Sequence, residues 1–351
     1  MNFASDNSAG IAPAILDALV RANSGFALGY GNDDLTRSVE RRLCELFERE
    51  IAVFLVPTGT AANALAIAHL SPPWGAVLCH AESHIISDEC GAPEFFGGGL
   101  KLIELPGTAG KITVETLSQA LERGPWGGPH HVSASVLSLT QATEAGTVYR
   151  VEEVRALSEA AHAHGLAVHM DGARFANALA RTNASPAQAT WKAGVDVLSL
   201  GATKGGALAA EAVVFFDPER ATNMDERRKR GGNLLSKHRF VAAQFEAFFA
   251  GDLWLNLARH ANAQADRLAA RLAAAGCVPV WPVEANEVFV ILPRRADERL
   301  KAAGASYYVW DTRSLPDGVV VSSEAVLVRL VTSFATSDAE VARFVEVVAA
   351  A

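Results

Sequence analysis

Two apolar runs about thirty residues apart each end on a residue able to do chemistry. Leu166-Ala167-Val168-His169-Met170 reads as a buried strand running into Asp171-Gly172-Ala173-Arg174. Val195-Asp196-Val197-Leu198-Ser199-Leu200 reads as another, running into Gly201-Ala202-Thr203-Lys204. The same rhythm continues on either side. Ala52–Val56, Ala76–Cys79, Leu100–Leu105, Ser135–Leu139 and Ala212–Phe216 read as buried strands, and Thr60–Leu70 and Val151–His164 as helices. Such alternation predicts a mostly parallel sheet with helices on both faces. Ligand sites in sheets of that kind form beyond the carboxyl ends of the strands. Asp171 and Lys204 are therefore expected at one edge, an acid and an amine together.

That pair points to pyridoxal phosphate (PLP). A lysine amine can carry the cofactor as an imine, and a carboxylate can keep its pyridine nitrogen cationic, which makes the ring an electron sink. Ordinary alternatives stand beside this. Most lysines lie on the surface, and an aspartate after a strand often only caps a turn. Lys204, however, is followed by Gly205-Gly206, so little steric cover surrounds its amine.

Other candidates carry weaker signals. Pro57-Thr58-Gly59-Thr60-Ala61-Ala62-Asn63 follows a strand and opens a helix, so its free N–H groups make an anion site at Gly59 and Thr60, or simply a capped helix. His84 follows the strand Ala76–Cys79 and is placed to stack on a flat ring and handle protons. With His80 and Asp88 it also invites a metal reading, which the lack of clear helical spacing disfavours. Arg174 is placed to neutralise Asp171 or to sit near the cofactor's phenolic oxygen or phosphate. Arg329 lies inside the apolar strand Val328–Val331, where a substrate carboxylate or a structural acid would satisfy it.

With 351 residues, half of them hydrophobic, the chain is long for one domain. Residues 1–33 read as an N-terminal arm with a helix near Pro13–Ala22, and a further helical pattern follows from Leu35 to Glu50. The large domain is expected over 34–250. A long helical pattern, Leu253–Ala275, leads into a smaller α+β unit over 251–351. Its expected elements are strands Val278–Trp281, Val288–Leu292, Ser306–Trp310 and Leu327–Val331, a helix Arg295–Ala303 and a last helix from Asp338. A net charge of −8 without a basic block disfavours nucleic acid and anionic membranes as partners. Four scattered cysteines and no leader pattern fit a reduced, cytoplasmic protein. No G-x-G-x-x-G is present, which disfavours a nicotinamide dehydrogenase.

Taken in order, Ser5-Asp6-Asn7, Tyr30-Gly31-Asn32-Asp33, Gly59–Asn63, His84, Asp171–Arg174, Thr203-Lys204 and Arg329–Thr332 resemble the low-specificity L-threonine aldolases, nearly end to end. The stretches Asp88–Phe96 and Gln141–Glu144 are similar to the branch that includes bacterial phenylserine aldolases. The resemblance implies an aspartate-aminotransferase-like, fold type I architecture and retro-aldol cleavage of an L-3-hydroxy amino acid to glycine and an aldehyde. It implies that Lys204 carries PLP, Asp171 pairs with the pyridinium, His84 stacks on the ring, and Gly59 and Thr60 bind the phosphate. Arg174 would contact cofactor or substrate, and Ser5 and Arg329 would hold the substrate carboxylate. Tyr30 and Lys229 would reach the site across the interface of a homodimer or homotetramer. Many family members carry a histidine where this chain has Thr140–Glu144, so the acceptor of the β-hydroxyl proton stays open among His84, a water and a group near Thr143. Another fold type I activity (a β-eliminating lyase, racemase or aminotransferase on a small amino acid) would share these residues, as would a non-catalytic PLP-binding protein.

Overall fold

The computed structural model describes residues 1–310, 315–316 and 318–351. Strands β1 (Ala52–Val56), β2 (Gly75–His80), β3 (Lys101–Leu105), β4 (Ser133–Thr140), β5 (Ala167–Gly172), β6 (Val197–Gly201) and β7 (Glu211–Phe215) form one seven-stranded sheet in the order β1-β7-β6-β5-β4-β2-β3. From β3 across to β6 all pairs are parallel. Pairs β6–β7 and β7–β1 are antiparallel. The reason lies in the connection: residues 202–210 are too few for a crossover, which needs roughly a dozen, so β7 turns straight back along β6. Strands β2, β6 and β7 are buried along their whole length, which explains their unbroken apolar runs.

The second sheet is small and antiparallel, with β8 (Glu287–Pro293), β9 (Tyr308–Val309) and β10 (Ala325–Val331) in the order β8-β10-β9. It packs with the helices Arg294–Ala302 and Asp338–Ala349 around a second core that includes Leu268, Val290, Val328 and Phe344. The expected strand Val278–Trp281 is not formed. Pro279 makes one isolated bridge to Val290, and prolines at 279 and 282 leave too few N–H donors to continue a ladder. The strand expected over Ser306–Trp310 shortens to β9 for a related reason: Ser306 turns to bridge Asn2.

Two segments join the cores. In the helix Leu253–Ala274, Trp254 and Ala258 belong to the large core, and Leu268 and Leu272 to the small one. The N-terminal segment does likewise, with Phe3 in the small core and Ala12 and Ile15 in the large. The Phe3 N–H donates to Ser306 and its carbonyl accepts from Val331 at 2.8 Å, so the chain start is tied to the second sheet. The helix expected to Glu50 stops at Leu46, because Glu48 takes a left-handed φ of 57°.

Glycines explain the close approach of the site-bearing strands. A Cβ on Gly172 would lie 2.7 Å from Leu198, and one on Gly201 would lie 2.8 Å from the Ala173 backbone. No other residue fits between β5 and β6 at that edge.

Candidate active site

Lys204 and Asp171 do meet. Strand register pairs Asp171 with Ser199 and with Thr140, and Gly201 with Glu211, at the carboxyl ends of the parallel strands. Beyond that edge lies a cavity of about 910 Å³. It brings together Ser5, Gly59, Thr60, His84, Asp171, Arg174, Lys204 and Arg329. Tyr30 and Lys229 are elsewhere: they line a separate groove, with Lys229 Nζ 4.4 Å from the Tyr30 ring centroid.

Asp171 is buried and held at both oxygens. Oδ1 accepts the Ala173 N–H at 3.0 Å, and Oδ2 accepts from Asn63 Nδ2 at 2.8 Å. Beneath it His169 bonds Ser138 and Ser199, each at 2.9 Å; burial pushes its pKa down to about 4 and leaves it neutral. Lys204 follows a tight turn in which the Thr203 N–H donates to Glu211 and the Thr203 hydroxyl accepts the Ala210 N–H. Burial pushes the Glu211 carboxyl up to about 7, against the pull of Thr203 and Lys204.

The helix Gly59–Leu70 is capped by Thr58, whose hydroxyl accepts the Ala61 N–H at 3.1 Å. The first N–H groups of this helix open into the cavity wall at Gly59 and Thr60. A Cβ built on Gly59 would meet nothing within 4 Å, so the open space there is not required by the protein's own packing.

His84 is gripped twice. Its Nδ1 lies 2.9 Å from Glu89 Oε1, and its backbone N–H donates to Glu144 Oε1 at 2.8 Å. The Glu89 bond raises the His84 pKa, against burial. Burial pushes Glu144 up to about 7 and raises Glu89 as well. His80 turns away to accept the Glu82 N–H at 3.2 Å.

Arg174 lines the cavity with its guanidinium tied to other acids. It neither pairs with Asp171 nor presents a free guanidinium to the cavity. Its Nε and Nη2 bond Asp6 at 2.8 and 3.1 Å, and Nη1 lies 3.4 Å from Glu287. Buried acids on the N-terminal segment and on β8 are nearer than Asp171 and satisfy it. Burial works to raise the Asp6 pKa, yet the charges of Arg174 and Lys204 hold it below the usual carboxylate range. Arg329, on β10, lies with its Cζ 4.4 Å from the Trp310 ring and 5.5 Å from that of Tyr308. Burial lowers its pKa, and among the described residues its Nε–H has no acceptor. The Ser5 hydroxyl accepts the Asn7 N–H at 3.1 Å and so caps the turn that presents Asp6.

Asp6, Asn63, Glu89, Glu144, Glu211, Glu287 and Trp310 were not named as candidates from sequence. Single acids and amides carry no periodicity. The available hint was that Asp6 and Asn63 fall in stretches that resemble the threonine aldolases, and Glu89 and Glu144 in the two that match the phenylserine aldolase branch.

The donor set fits PLP on structural grounds. An amine, a buried carboxylate, an imidazole and an open helix N-terminus face one cavity large enough for a cofactor and a small substrate. Comparisons with known proteins agree. The serine palmitoyltransferase of Sphingomonas wittichii, at 17% identity, superposes with a TM-score of 0.71 over 100% of this chain and 86% of its own. The threonine aldolase of Leishmania major superposes with a TM-score of 0.91 at 31% identity, over 99% of this chain and 98% of its own. Fold and site together define an enzyme of the PLP-dependent fold type I class.

The family is narrower than the class. A model of the beta-eliminating lyase family matches residues 2–294. The low specificity L-threonine aldolase of Pseudomonas aeruginosa is 44% identical over 311 residues, covering 88% of this chain and 89% of that protein. The chain belongs to the threonine aldolase branch of the beta-eliminating lyase family.

Proposed function

We propose that the protein is a PLP-dependent carbon–carbon lyase that cleaves L-3-hydroxy amino acids of the threonine, allo-threonine or phenylserine type to glycine and an aldehyde. The convergence of Lys204 and Asp171 from the ends of two strands of the large sheet and of Arg329 from within β10 on one cavity carries this reading. When bound, PLP supplies the electron sink for the pair left on the substrate's Cα. Lys204 would hold it, Asp171 would keep a proton on its ring nitrogen, His84 would cover the ring, and the N–H groups at Gly59 and Thr60 would take the phosphate.

Arg329 would grip the substrate carboxylate and so set which bond at Cα stands ready to break. Asp6 and Glu287 already engage Arg174. Arg174 would contact cofactor or substrate from the wall beside Ser5, held in place by these two acids. No helix among the described residues is long and apolar enough to cross a membrane. A small-molecule substrate and a cytoplasmic setting complete the reading.

A homo-oligomer with the site at a subunit interface belongs to the same proposal. Phe26 is fully exposed and Leu28, Val20 and Leu208 largely so. Leu208 also lines the cavity. Apolar surface reaching a site mouth is what a second copy would cover, and it would bring Tyr30 and Lys229 near the partner's cavity. The same reading divides the chain into an arm (1–33), a large domain (34–250) and a small domain (251–351), with the arm and the helix Leu253–Ala274 contributing to both cores.

The test is product analysis with L-threonine, L-allo-threonine and L-phenylserine. Glycine and aldehyde in equal amounts, without keto acid, support the lyase. Bound PLP with keto acid or racemised substrate and no aldehyde would replace it with another fold type I activity.

A further inference from the structure

Four side chains form a hydrogen-bonded chain along one wall of the cavity. His84 Nδ1 meets Glu89 Oε1 at 2.9 Å, and Asn63 Nδ2 donates to Glu89 Oε1 and to Asp171 Oδ2, each at 2.8 Å. Glu89 is buried, and its Oε2 has no partner among the described residues. A carboxylate on Nδ1 fixes the neutral imidazole as the Nδ1–H tautomer and stabilises the imidazolium that forms when Nε2 takes a proton.

We infer that Glu89 is a positioning residue. It orients His84 so that Nε2 faces the cavity and takes the proton of the substrate's β-hydroxyl, while Asn63 ties this pair to Asp171. The inference deepens the lyase reading and rests on it. The side chains near Thr143 are less well placed. The Thr143 hydroxyl is held by Thr147 at 2.8 Å and by the Ala109 carbonyl at 3.3 Å. Glu144 Oε1 accepts both the His84 N–H and the Thr140 hydroxyl, while its Oε2 is buried without a partner among the described residues. Glu144 instead anchors the backbone of His84. The balance is simple: the O–H bond breaks to His84 Nε2, its electron pair forms the aldehyde carbonyl, and the Cα–Cβ pair stays on Cα. A proton then returns to Cα to give glycine.

Charged groups facing His84 are Glu89 beyond its own short helix, Glu144 after β4, Asp171 on β5 and Lys204 after β6. Glu89 makes the direct bond to the ring, so its removal should dominate the imidazole's titration. The test uses ¹⁵N-histidine NMR of the cofactor-free protein, with His84 assigned through His84→Asn. We expect the neutral His84 ring to be protonated at Nδ1, to titrate above an ordinary histidine, and to shift to lower pH in Glu89→Gln. In the loaded enzyme, Glu89→Gln should lower kcat for cleavage about 10- to 100-fold. Its acid limb should move to lower pH, with KM within about threefold.

A neutral ring protonated at Nε2, or a His84 titration unmoved by Glu89→Gln, overturns the positioning role. The tautomer is read in the unaltered protein, so the test survives a variant that does not fold. A shifted titration with an unchanged pH–rate profile overturns the role of His84 as proton acceptor. If no hydroxy amino acid yields aldehyde, the lyase reading fails while the NMR result stands or falls by itself.

Discussion

Glu211 lies on β7 with its carboxylate against the Thr203 N–H and the charge of Lys204, and burial still pushes its pKa up to about 7 from 4.5. An acid raised in this way keeps its proton in the folded state while the unfolded chain gives its own up. Its contribution is therefore present below about pH 4.5 and is lost as pH rises through 7, by about 3 kcal/mol for a shift of this size. The cofactor-free Glu211→Gln protein should accordingly lose less thermal stability between pH 5 and pH 8 than the unaltered protein; equal losses would show Glu211 to be ionised in the fold. Residues at this scale were unevenly legible. Lys204 and Asp171 were readable because each ends an apolar run whose direction is fixed by the sheet. Glu89, Glu144 and Glu211 act through partners 5, 60 and 8 positions away, and no local pattern announces such pairs. The ion pair of Arg174 was hidden for the same reason: its partner Asp6 lies 168 positions back.

Among the elements, the helix Gly59–Leu70 has an unusual division of labour. Thr58 caps it at 3.1 Å for the protein, while Gly59 leaves open space that its own packing does not need. Gly59→Ala should leave the melting temperature of the cofactor-free protein unchanged or slightly higher, yet weaken PLP retention about tenfold or more, measured by fluorescence titration. Unchanged retention would place the phosphate elsewhere. Most strands were legible because burial on both faces writes an unbroken apolar run. Val278–Trp281 was misread because its prolines decide the outcome against its apolar residues, and the antiparallel turn of β7 followed from a loop length that apolar patterning does not weigh.

At the scale of the whole molecule, two cores are stitched together by the helix Leu253–Ala274 and by the N-terminal segment, and the site sits where they meet. Arg329 comes from the small sheet and Lys204 and Asp171 from the large one. The exposed Phe26 and Leu28 stand on the N-terminal arm. A Phe26→Asp, Leu28→Asp protein should be monomeric by light scattering at concentrations where the unaltered protein is oligomeric, and should lose cleavage activity with it. An active monomer would remove Tyr30 and Lys229 from the partner's site. The fold class was legible at this scale from alternation alone, whereas the proposed interface rests on family resemblance, since exposure is not written in sequence.

The central claim is that Lys204 carries the cofactor opposite Asp171, and one measurement meets it directly. The protein is loaded with PLP, reduced with borohydride, digested and mapped by mass spectrometry. A single pyridoxyl-phosphate adduct on the peptide containing Lys204, lost in Lys204→Ala, is the predicted result. An adduct on another lysine, or none above background, would contradict the account.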